Sequence, residues 1–340
     1  MGLSVSKYAV IVAMKKRVII DTDPGVDDAL ALLLALRSPE LHVEAITTVN
    51  GNVPLKQATK NATAILDLLN PDPRPILAAG AARPLKKGRI GAQSVHGSDG
   101  LGELYRFKNP DGSCRYPEVK LAQDIPDATK VLLDLLNRYP DDLTLLTLGP
   151  LTNLAETLHA DETLVKGLRE LITMGGAISV PGNITPAAEF NIFVDPHAAH
   201  RVFHSALPIT LVPLDVTEKV SLELREIEGL TQAMEEPLGR FLGDLTARSL
   251  QYMRQVRGKA VIYLHDPLAV GVAIDPTIVK TISLHVDVET HRGITQGMTL
   301  ADIRAIRDDM KRPPNLHVAL EVEAERFLSL FKERLCQRSL

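Results

Sequence analysis

The chain has 340 residues, with 38 lysines and arginines against 42 aspartates and glutamates, and a formal net charge of -4 at pH 7. This mildly acidic balance argues against a nucleic-acid-binding surface and favours a small-molecule ligand. No apolar run reaches the roughly 20 residues of a membrane span, so no membrane contact is expected. The two cysteines, Cys114 and Cys336, lie far apart in the sequence, which fits free thiols in a reducing compartment and predicts a cytoplasmic protein.

Residues 1–16 are predicted to be an N-terminal extension, followed by a single domain at residues 17–340. Residues 8–13 form a short apolar run after Lys7. This run is short for the hydrophobic core of a signal peptide, and little positive charge precedes it. A weak signal peptide and a natural start at Met14 are the alternatives for this segment.

The first chemistry-bearing stretch begins at residue 18. Residues 18–20 are apolar and β-branched, which is typical of a buried strand, and the Ala/Leu-rich residues 29–36 favour a helix. Pro24 and Gly25 predict the turn between these two elements. Four aspartates occupy the same junction: Asp21, Asp23, Asp27 and Asp28.

These four carboxylates suggest a metal or catalytic site. Ligands of open α/β sheets bind at the carboxyl ends of the strands, where the aspartates fall. Carboxylates this close repel each other, and a hard divalent cation relieves the repulsion by taking oxygen ligands. A solvated acidic turn favoured by the helix dipole is the alternative, but Asp21 and Asp23 precede the turn, which the dipole does not explain.

The remainder of the chain alternates strands and helices. Strands are predicted at 43–49, 75–79, 143–148, 171–174 and 209–212, and helices at 55–69, 127–138, from about 154, 196–203, over most of 222–257, 267–274 and 324–335. Residues 80–112 show little periodicity, which is typical of a functional or mobile loop. The alternation without a break in composition predicts one α/β domain with a single open, doubly wound, mostly parallel sheet flanked by helices.

A second acidic motif lies before the helix predicted at 267–274. His265 and Asp266 precede Pro267. Taken alone, this arrangement favours a helix cap, with Asp266 accepting from backbone donors and Pro267 at the first helical position. Taken with the first aspartates, Asp266 is also a candidate third carboxylate for the cation.

The sequence D-T-D-P-G-V-D-D-A at residues 21–29 resembles the N-terminal signature of the inosine-uridine-type nucleoside hydrolases. The resemblance runs from about residue 17 to the C-terminal third, with the main motifs in order. It implies a nucleoside hydrolase-like, Rossmann-like fold and hydrolysis of the N-glycosidic bond of purine or pyrimidine ribonucleosides to free base and ribose. It also implies a homo-oligomer, since family members are commonly dimers or tetramers.

The resemblance further implies roles for individual residues. One Ca²⁺ would be held by Asp23, Asp28, Asp266 and the backbone carbonyl of Leu148, which precedes a Gly-x-Leu-Thr-Asn motif. Asp23 would take the proton of a metal-activated water, and His265 is the candidate acid for the departing base. The expected substrate contacts are Asp27, Asn52, His96, Met174, Asn183, Glu189 and Asn191. For the loop residues among them, turn chemistry and surface exposure are the alternatives.

The sequence does not define which base is preferred, and two alternative functions are also considered. Some purine-cleaving members stack the base on tryptophans, and this chain has none. Members active on inosine and uridine carry tyrosines on the helices before the His-Asp motif. In this chain, Tyr252 is adjacent to a matched position rather than on it. Asp21-x-Asp23 also resembles the nucleophile motif of haloacid-dehalogenase-type phosphatases, although Pro24-Gly25 departs from that motif. A non-catalytic Ca²⁺-dependent nucleoside binder is the third interpretation, and the presence of Asp23 and His265 speaks against it.

Overall fold

The computed structural model describes residues 15–86, 88 and 90–337, so residues 1–14 of the predicted extension lie outside the described residues. The strands are β1 (Lys16–Thr22), β2 (Leu41–Thr48), β3 (Ile76–Ala79), β4 (Leu143–Thr147), β5 (Glu170–Met174), β6 (Ile209–Val212), β7 (Ser221–Glu223), β8 (Val261–Tyr263), β9 (Val279–Leu284), β10 (Val286–Val288), β11 (Thr299–Ala301) and β12 (Leu316–Val322).

The helices are α1 (Val26–Leu36), α2 (Leu55–Leu69), α3 (Gln93–His96), α4 (Ala128–Arg138), α5 (Thr152–Ala160), α6 (Glu162–Val165), α7 (Phe190–Val194), α8 (Pro196–Phe203), α9 (Leu214–Thr217), α10 (Leu224–Ala233), α11 (Leu238–Arg257), α12 (His265–Ile274) and α13 (Ala324–Cys336). Short 3₁₀ turns lie at Leu104–Arg106, Pro276–Ile278 and Asp308–Met310. Among these described helices, none is long and apolar enough to cross a membrane.

Within the described residues, eight strands form one sheet in the order β3-β2-β1-β4-β5-β6-β12-β9. Neighbours from β3 to β12 run parallel, and the edge strand β9 runs antiparallel to β12. The strand order reverses at β1, which pairs with β2 on one side and β4 on the other. The prediction of an open, doubly wound, mostly parallel sheet is confirmed, and the reversal marks the crevice where such sheets bind ligands.

Two hydrophobic clusters cover the two faces of this sheet. One contains Leu30 and Leu34 of α1 together with Phe327 and Phe331 of α13. The other contains residues of α4, α5 and α8, including Phe203. Strands between two apolar layers are buried on both sides, which explains why the central strands read as continuous apolar runs rather than alternating ones. The first cluster also packs α1 against α12, so the two acidic motifs of the sequence meet.

Several predicted elements differ from the structure at their ends. β1 begins at Lys16, the last residue of the predicted extension. α1 begins at Val26 rather than at residue 29, because the Asp28 carboxylate accepts the Gly25 backbone N–H at 2.9 Å and fixes the first turn. Phe190–Val194 forms α7, although no helix was predicted there. Residues 221–223, expected near the start of a helical region, form β7, which pairs with β8.

Candidate active site

The carboxyl ends of β1, β2, β4 and β5 surround a cavity of about 280 Å³. Its wall combines side chains from these strand ends with others from the starts of helices. Ten predicted site residues line it: Asp27, Asn52, His96, Leu148, Met174, Asn183, Glu189, Asn191, His265 and Asp266. The other two, Asp23 and Asp28, are fully buried, and Asp28 contacts the wall through the Asn52 amide, which donates to it at 3.1 Å.

Three carboxylates meet at the junction of α1 and α12. Asp27 and Asp28 lie in the first turn of α1, and Asp266 lies in the first turn of α12. One oxygen from each lies within 4.8 Å of the others. The sequence resemblance assigned Asp23 to the metal and Asp27 to ribose. The close group of carboxylates instead contains Asp27 and not Asp23. The predicted roles of both residues remain predictions.

Asp28 is held by hydrogen bonds on both carboxylate oxygens. Its Oδ1 accepts from the Thr22 hydroxyl and from the Asp23 backbone N–H at 3.3 Å. Its Oδ2 accepts from the Gly25 backbone N–H and from the Asn52 amide. The Asp28 carboxylate therefore caps α1 and also lies beside Asp27 and Asp266. Four donors fix its orientation.

Asp23 is buried in a space that two glycines leave open. A Cβ atom at Gly51 would lie 1.8 Å from Asp23 Oδ2, and one at Gly149 would lie 2.5 Å from Oδ1. Oδ2 accepts the Asn52 backbone N–H. Oδ1, like Oδ1 of Asp27, is buried without a hydrogen-bond partner among the described residues. Unpartnered buried carboxylate oxygens are costly unless a proton or a cation completes them.

The pKa values of the four aspartates at this site, Asp23, Asp27, Asp28 and Asp266, also indicate that a proton or a cation is needed there. Burial raises the pKa of Asp23 and Asp266 well above the ordinary value, and the charges of neighbouring aspartates raise both further. Burial is also the main cause of the raised pKa values of Asp27 and Asp28. A divalent cation would offset this repulsion, and the donors are all oxygen atoms, which hard cations prefer. The residues present therefore fit a metal ion.

Asn191 ties together the ends of two neighbouring strands at the cavity. Its amide nitrogen donates to the Leu148 carbonyl after β4 at 2.7 Å and to the Met174 carbonyl at the end of β5 at 3.3 Å. The sequence resemblance gave the Leu148 carbonyl to the metal and Asn191 to the ribose. In the structure these two groups contact each other, so the sugar and metal positions predicted from the sequence are adjacent.

Glu189 combines a predicted sugar contact with a structural role. Its carboxylate accepts the backbone N–H groups of Asn191 at 2.9 Å, Gly176 at 3.0 Å and Ile192 at 3.2 Å, and so caps α7. Burial raises its pKa to about 7. Asn183, on the exposed side of the cavity, accepts the Phe190 N–H at 2.9 Å. These hydrogen bonds hold the loop that follows β5 against the cavity.

Two histidines face the cavity with one ring nitrogen each already engaged. His96 Nδ1 accepts the Val26 backbone N–H at 3.1 Å, and His265 Nδ1 lies 2.8 Å from the Thr217 hydroxyl. Burial lowers the pKa of each imidazole to about 4. The His265 ring also stacks on Tyr263, with ring centroids 5.6 Å apart. Each ring is therefore held in a fixed orientation beside the acidic group.

The part of the cavity wall that lies after residue 250 and before His265 was largely missed by the sequence interpretation. It is formed by α11 and β8, including Tyr252, Met253, Val256 and Tyr263. Arg257 lies over the Tyr263 ring at 5.3 Å from its centroid and donates to Glu218 at 3.0 Å. Residues 252, 253 and 256 share one face of a helix, so helical spacing was the signal that pointed to them. Tyr252 thus lines the cavity although it falls beside the matched tyrosine position.

Comparison with known proteins places this geometry in a family. The family model described as inosine-uridine preferring nucleoside hydrolase matches residues 18–329. The pyrimidine-specific ribonucleoside hydrolase RihA of Shigella boydii is 36% identical over 319 residues, which cover 94% of this chain and 97% of the relative. RihA of Salmonella agona is 37% identical over the same length.

Solved structures give the same result. A plant nucleoside hydrolase, PpNRh1, superposes with a TM-score of 0.85 at 36% identity, covering 96% of this chain and 100% of the other. A purine-preferring ribonucleoside hydrolase from Gardnerella vaginalis superposes with a TM-score of 0.84 at 32% identity, covering 94% and 98%. Sequence and structure therefore agree that the chain belongs to the inosine-uridine preferring nucleoside hydrolases and hydrolyses the N-glycosidic bond of ribonucleosides.

Proposed function

We propose that this hydrolase works with one Ca²⁺ ion, bound by Asp23, Asp28, Asp266 and the Leu148 carbonyl. The observation that carries the proposal is the group of aspartates at this site. Asp27, Asp28 and Asp266 offer only carboxylate oxygens as close ligand atoms. Oδ1 of Asp23 and Oδ1 of Asp27 are buried without a hydrogen-bond partner among the described residues. Zinc sites normally include histidine or cysteine, whereas Ca²⁺ takes oxygen ligands alone. When bound, such a cation lowers the pKa of a coordinated water.

The protein's own groups would carry the proton transfers. Asp23 would accept the proton of the attacking water, because its Oδ1 has no other partner among the described residues. His265 would donate to the departing base through the ring nitrogen that Thr217 does not engage. The carboxylates around the cavity would also stabilise the oxocarbenium-like charge that develops on the sugar.

The sugar would be held by polar side chains on the side of the cavity formed by β2 and the loop after β5. The proposed ribose contacts are Asp27, Asn52, Asn183, Glu189 and Asn191. Met174 would line the pocket, and His96 would lie near the base. Several of these groups are already fixed by backbone hydrogen bonds, so they would present their remaining donors and acceptors in preset positions.

A nucleoside panel tests this function. We expect uridine, cytidine, inosine and adenosine to release free base and ribose at rates that rank the base preference, because the named relatives include both pyrimidine-specific and purine-preferring enzymes. 2′-Deoxyuridine is the matched control, and we expect it to be poorer than uridine by as much as about 10⁴, since a site built for a hydroxyl rejects the analogue without it. Equal rates for the two would contradict the ribose assignment.

We also propose that residues 17–340 form one catalytic domain, that the chain assembles into a dimer or tetramer, and that it acts in the cytoplasm. Support for the domain comes from the single central sheet of the described residues. Family likeness supports the assembly, and light scattering of the purified protein measures it. The exposed free thiol of Cys114 supports a reducing compartment.

A further inference from the structure

A second cluster of metal-ligand side chains lies outside the catalytic cavity, at the C-terminal end of α8. His200 and His204 are one helical turn apart, and β10 brings Asp287 beside them. One ligand atom from each of the three lies within 4.8 Å of the others. We refer to His200, His204 and Asp287 as the α8 cluster. None of the three belongs to the cavity wall described above.

The hydrogen bonds of His204 define which of its nitrogens is available. Its Nδ1 lies 2.8 Å from the His200 backbone carbonyl, which accepts only, so Nδ1 carries a proton. The other nitrogen, Nε2, lies 3.0 Å from Asp287 Oδ1. In a neutral ring this nitrogen carries a lone pair, so two acceptors face each other. The contact is favourable only when a proton or a metal ion lies between them.

Groups behind Asp287 hold its carboxylate in place. Oδ2 accepts from Arg312 at 2.6 Å, and Oδ1 faces His204 Nε2. Arg312 also lies 3.4 Å from His285 Nε2, and His285 Nδ1 lies 2.8 Å from the Pro313 carbonyl. Ligands whose outer atoms are fixed by a backbone carbonyl or a charged partner are characteristic of protein metal sites.

His200 contributes the second imidazole of the α8 cluster. Its ring lies against that of His204, with centroids 4.4 Å apart. A neutral imidazole offers a nitrogen lone pair, whereas a protonated one does not.

We propose that the α8 cluster binds a divalent transition-metal ion, with Zn²⁺ as the best match to its two imidazoles and one carboxylate. Two ligands on a tetrahedral zinc ion are about 3.3 Å apart, so the 3.0 Å between His204 Nε2 and Asp287 Oδ1 needs little adjustment. His200 and His204 are exposed, so a water molecule can complete the coordination. This ion is separate from the proposed Ca²⁺, and its site does not depend on the catalytic mechanism.

The bound ion would join α8 to the hairpin formed by β10 and β11. That hairpin holds the loop after β5, because the Thr299 hydroxyl in β11 bonds with both the N–H and the carbonyl of Ala177. α8 directly follows α7, which Glu189 caps. The ion would therefore brace two elements that support the cavity without touching the substrate.

Zinc titration of the untagged, chelator-stripped protein tests the site, with excess Ca²⁺ present throughout so that the acidic group is occupied. We expect calorimetry to give one Zn²⁺ per chain, and Co²⁺ to give visible absorption bands of a low-coordinate site. His204→Ala and Asp287→Asn each remove a ligand, so each is expected to weaken binding by more than the about 10- to 100-fold that an outer partner is worth. His291→Ala is the matched control, because it removes an exposed histidine paired with Glu289 at 2.9 Å.

Turnover of the Ca²⁺-loaded variants reports that they are folded, since the α8 cluster lies outside the cavity. Equal Zn²⁺ affinity in the wild type and in His204→Ala would overturn the proposal. So would a wild type that binds no Zn²⁺ in the presence of Ca²⁺, because the α8 cluster would then be an ion-pair network without a metal. Weaker binding in both ligand variants, with the control unchanged, supports the site.

Discussion

The position of the Asp23 carboxylate is determined by its neighbours. The absence of side chains at Gly51 and Gly149 gives its carboxylate room, and the Asn52 N–H orients one of its oxygens. Its other oxygen is left without a partner among the described residues. A general base needs one oxygen free to receive a proton, and the buried Oδ1 of Asp23 meets this requirement.

Asp23→Asn tests this role directly. The amide retains the size and one oxygen of the carboxylate but cannot accept the proton, so we expect kcat to fall by about 10² to 10⁴, the usual contribution of a general base. Elemental analysis of the variant separates loss of the base from loss of Ca²⁺. Asp124→Asn, at an exposed position, is the control and should retain full activity. Full activity of Asp23→Asn would contradict the assignment.

His265 is tested by the leaving group rather than by the rate alone. A purine departs poorly without a proton on the base, whereas p-nitrophenolate departs without one. We therefore expect His265→Ala to slow inosine hydrolysis and to leave hydrolysis of a p-nitrophenyl riboside close to the wild-type rate. The ratio of the two rates in the same variant is the measurement. If both substrates slow by the same factor, the imidazole, which contacts Thr217 and Tyr263, acts as a structural neighbour of Asp266.

Among the individual site residues, those clustered in short motifs could be identified from the sequence. Asp23, Asp27 and Asp28 lie within the short segment 23–28. Their proximity could therefore be predicted without knowledge of the fold. The cavity wall contributed by Tyr252 and Tyr263 could not, because α11 and β8 reach the cavity only through tertiary packing. The grouping of Asp27 with Asp266 also depends on how α1 packs against α12, which a linear motif does not define.

Among the secondary-structure elements, the small hairpin of β10 and β11 has a specific task near the cavity. It places Thr299, which is 2% exposed, beside the loop that follows β5. The Thr299 hydroxyl accepts the Ala177 N–H at 2.9 Å and donates to the Ala177 carbonyl at 2.7 Å. The same loop leads to Glu189 and Asn191, so the hairpin helps to position the proposed ribose contacts.

Thr299→Val should therefore reduce stability. Valine has nearly the same shape but leaves the Ala177 N–H and carbonyl without their partner, and each unsatisfied buried group costs about 1–3 kcal/mol. We expect a lower free energy of unfolding in urea and a raised KM for the nucleoside. Thr281→Val, at an exposed position of β9, is the matched control. Equal stability of the two variants would show that the hairpin does not support the loop.

Periodic sequence patterns located some elements accurately and missed others. α2 was predicted at residues 55–69 and has these bounds, since its apolar residues repeat at helical spacing up to Asn70, which ends the helix in a left-handed conformation. α7 and β7 are too short for periodicity to indicate them. α7 forms because the Glu189 carboxylate accepts N–H groups at its start, and β7 forms because β8 pairs with it. Both causes are tertiary or side-chain contacts that a propensity pattern does not contain.

For the whole molecule, the position of the cavity follows from the topology of the sheet. β1 lies where the strand order reverses, and α1, which follows β1 in the chain, packs against α12 in the larger hydrophobic cluster of the described residues. The acidic group therefore lies at the centre of the fold rather than on a peripheral loop. Its electrostatic energy must then contribute to the stability of the entire domain, and not only to that of a local segment.

Removal of Ca²⁺ should destabilise the whole domain in a single step. Without the cation, the buried aspartates repel one another, and the ligand's contribution to the folded state is lost. Ca²⁺ at 100 times its Kd should raise the free energy of unfolding by about 2.7 kcal/mol over a chelated sample. Urea unfolding, followed by circular dichroism and by tyrosine fluorescence, should give one coincident transition in both samples, as we expect of one cooperative domain at residues 17–340.

Asp266→Asn is the discriminating variant for this experiment. It removes both a proposed ligand and one of the repelling charges, so its unfolding should no longer respond to Ca²⁺. Its stability under chelation should equal or exceed that of the wild type, because burial and the charges of three neighbouring aspartates raise the pKa of this group in the metal-free protein. His291→Ala, far less buried, should respond to Ca²⁺ as the wild type does. An undiminished Ca²⁺ response in Asp266→Asn would place the ion elsewhere, and two separate transitions would divide the domain.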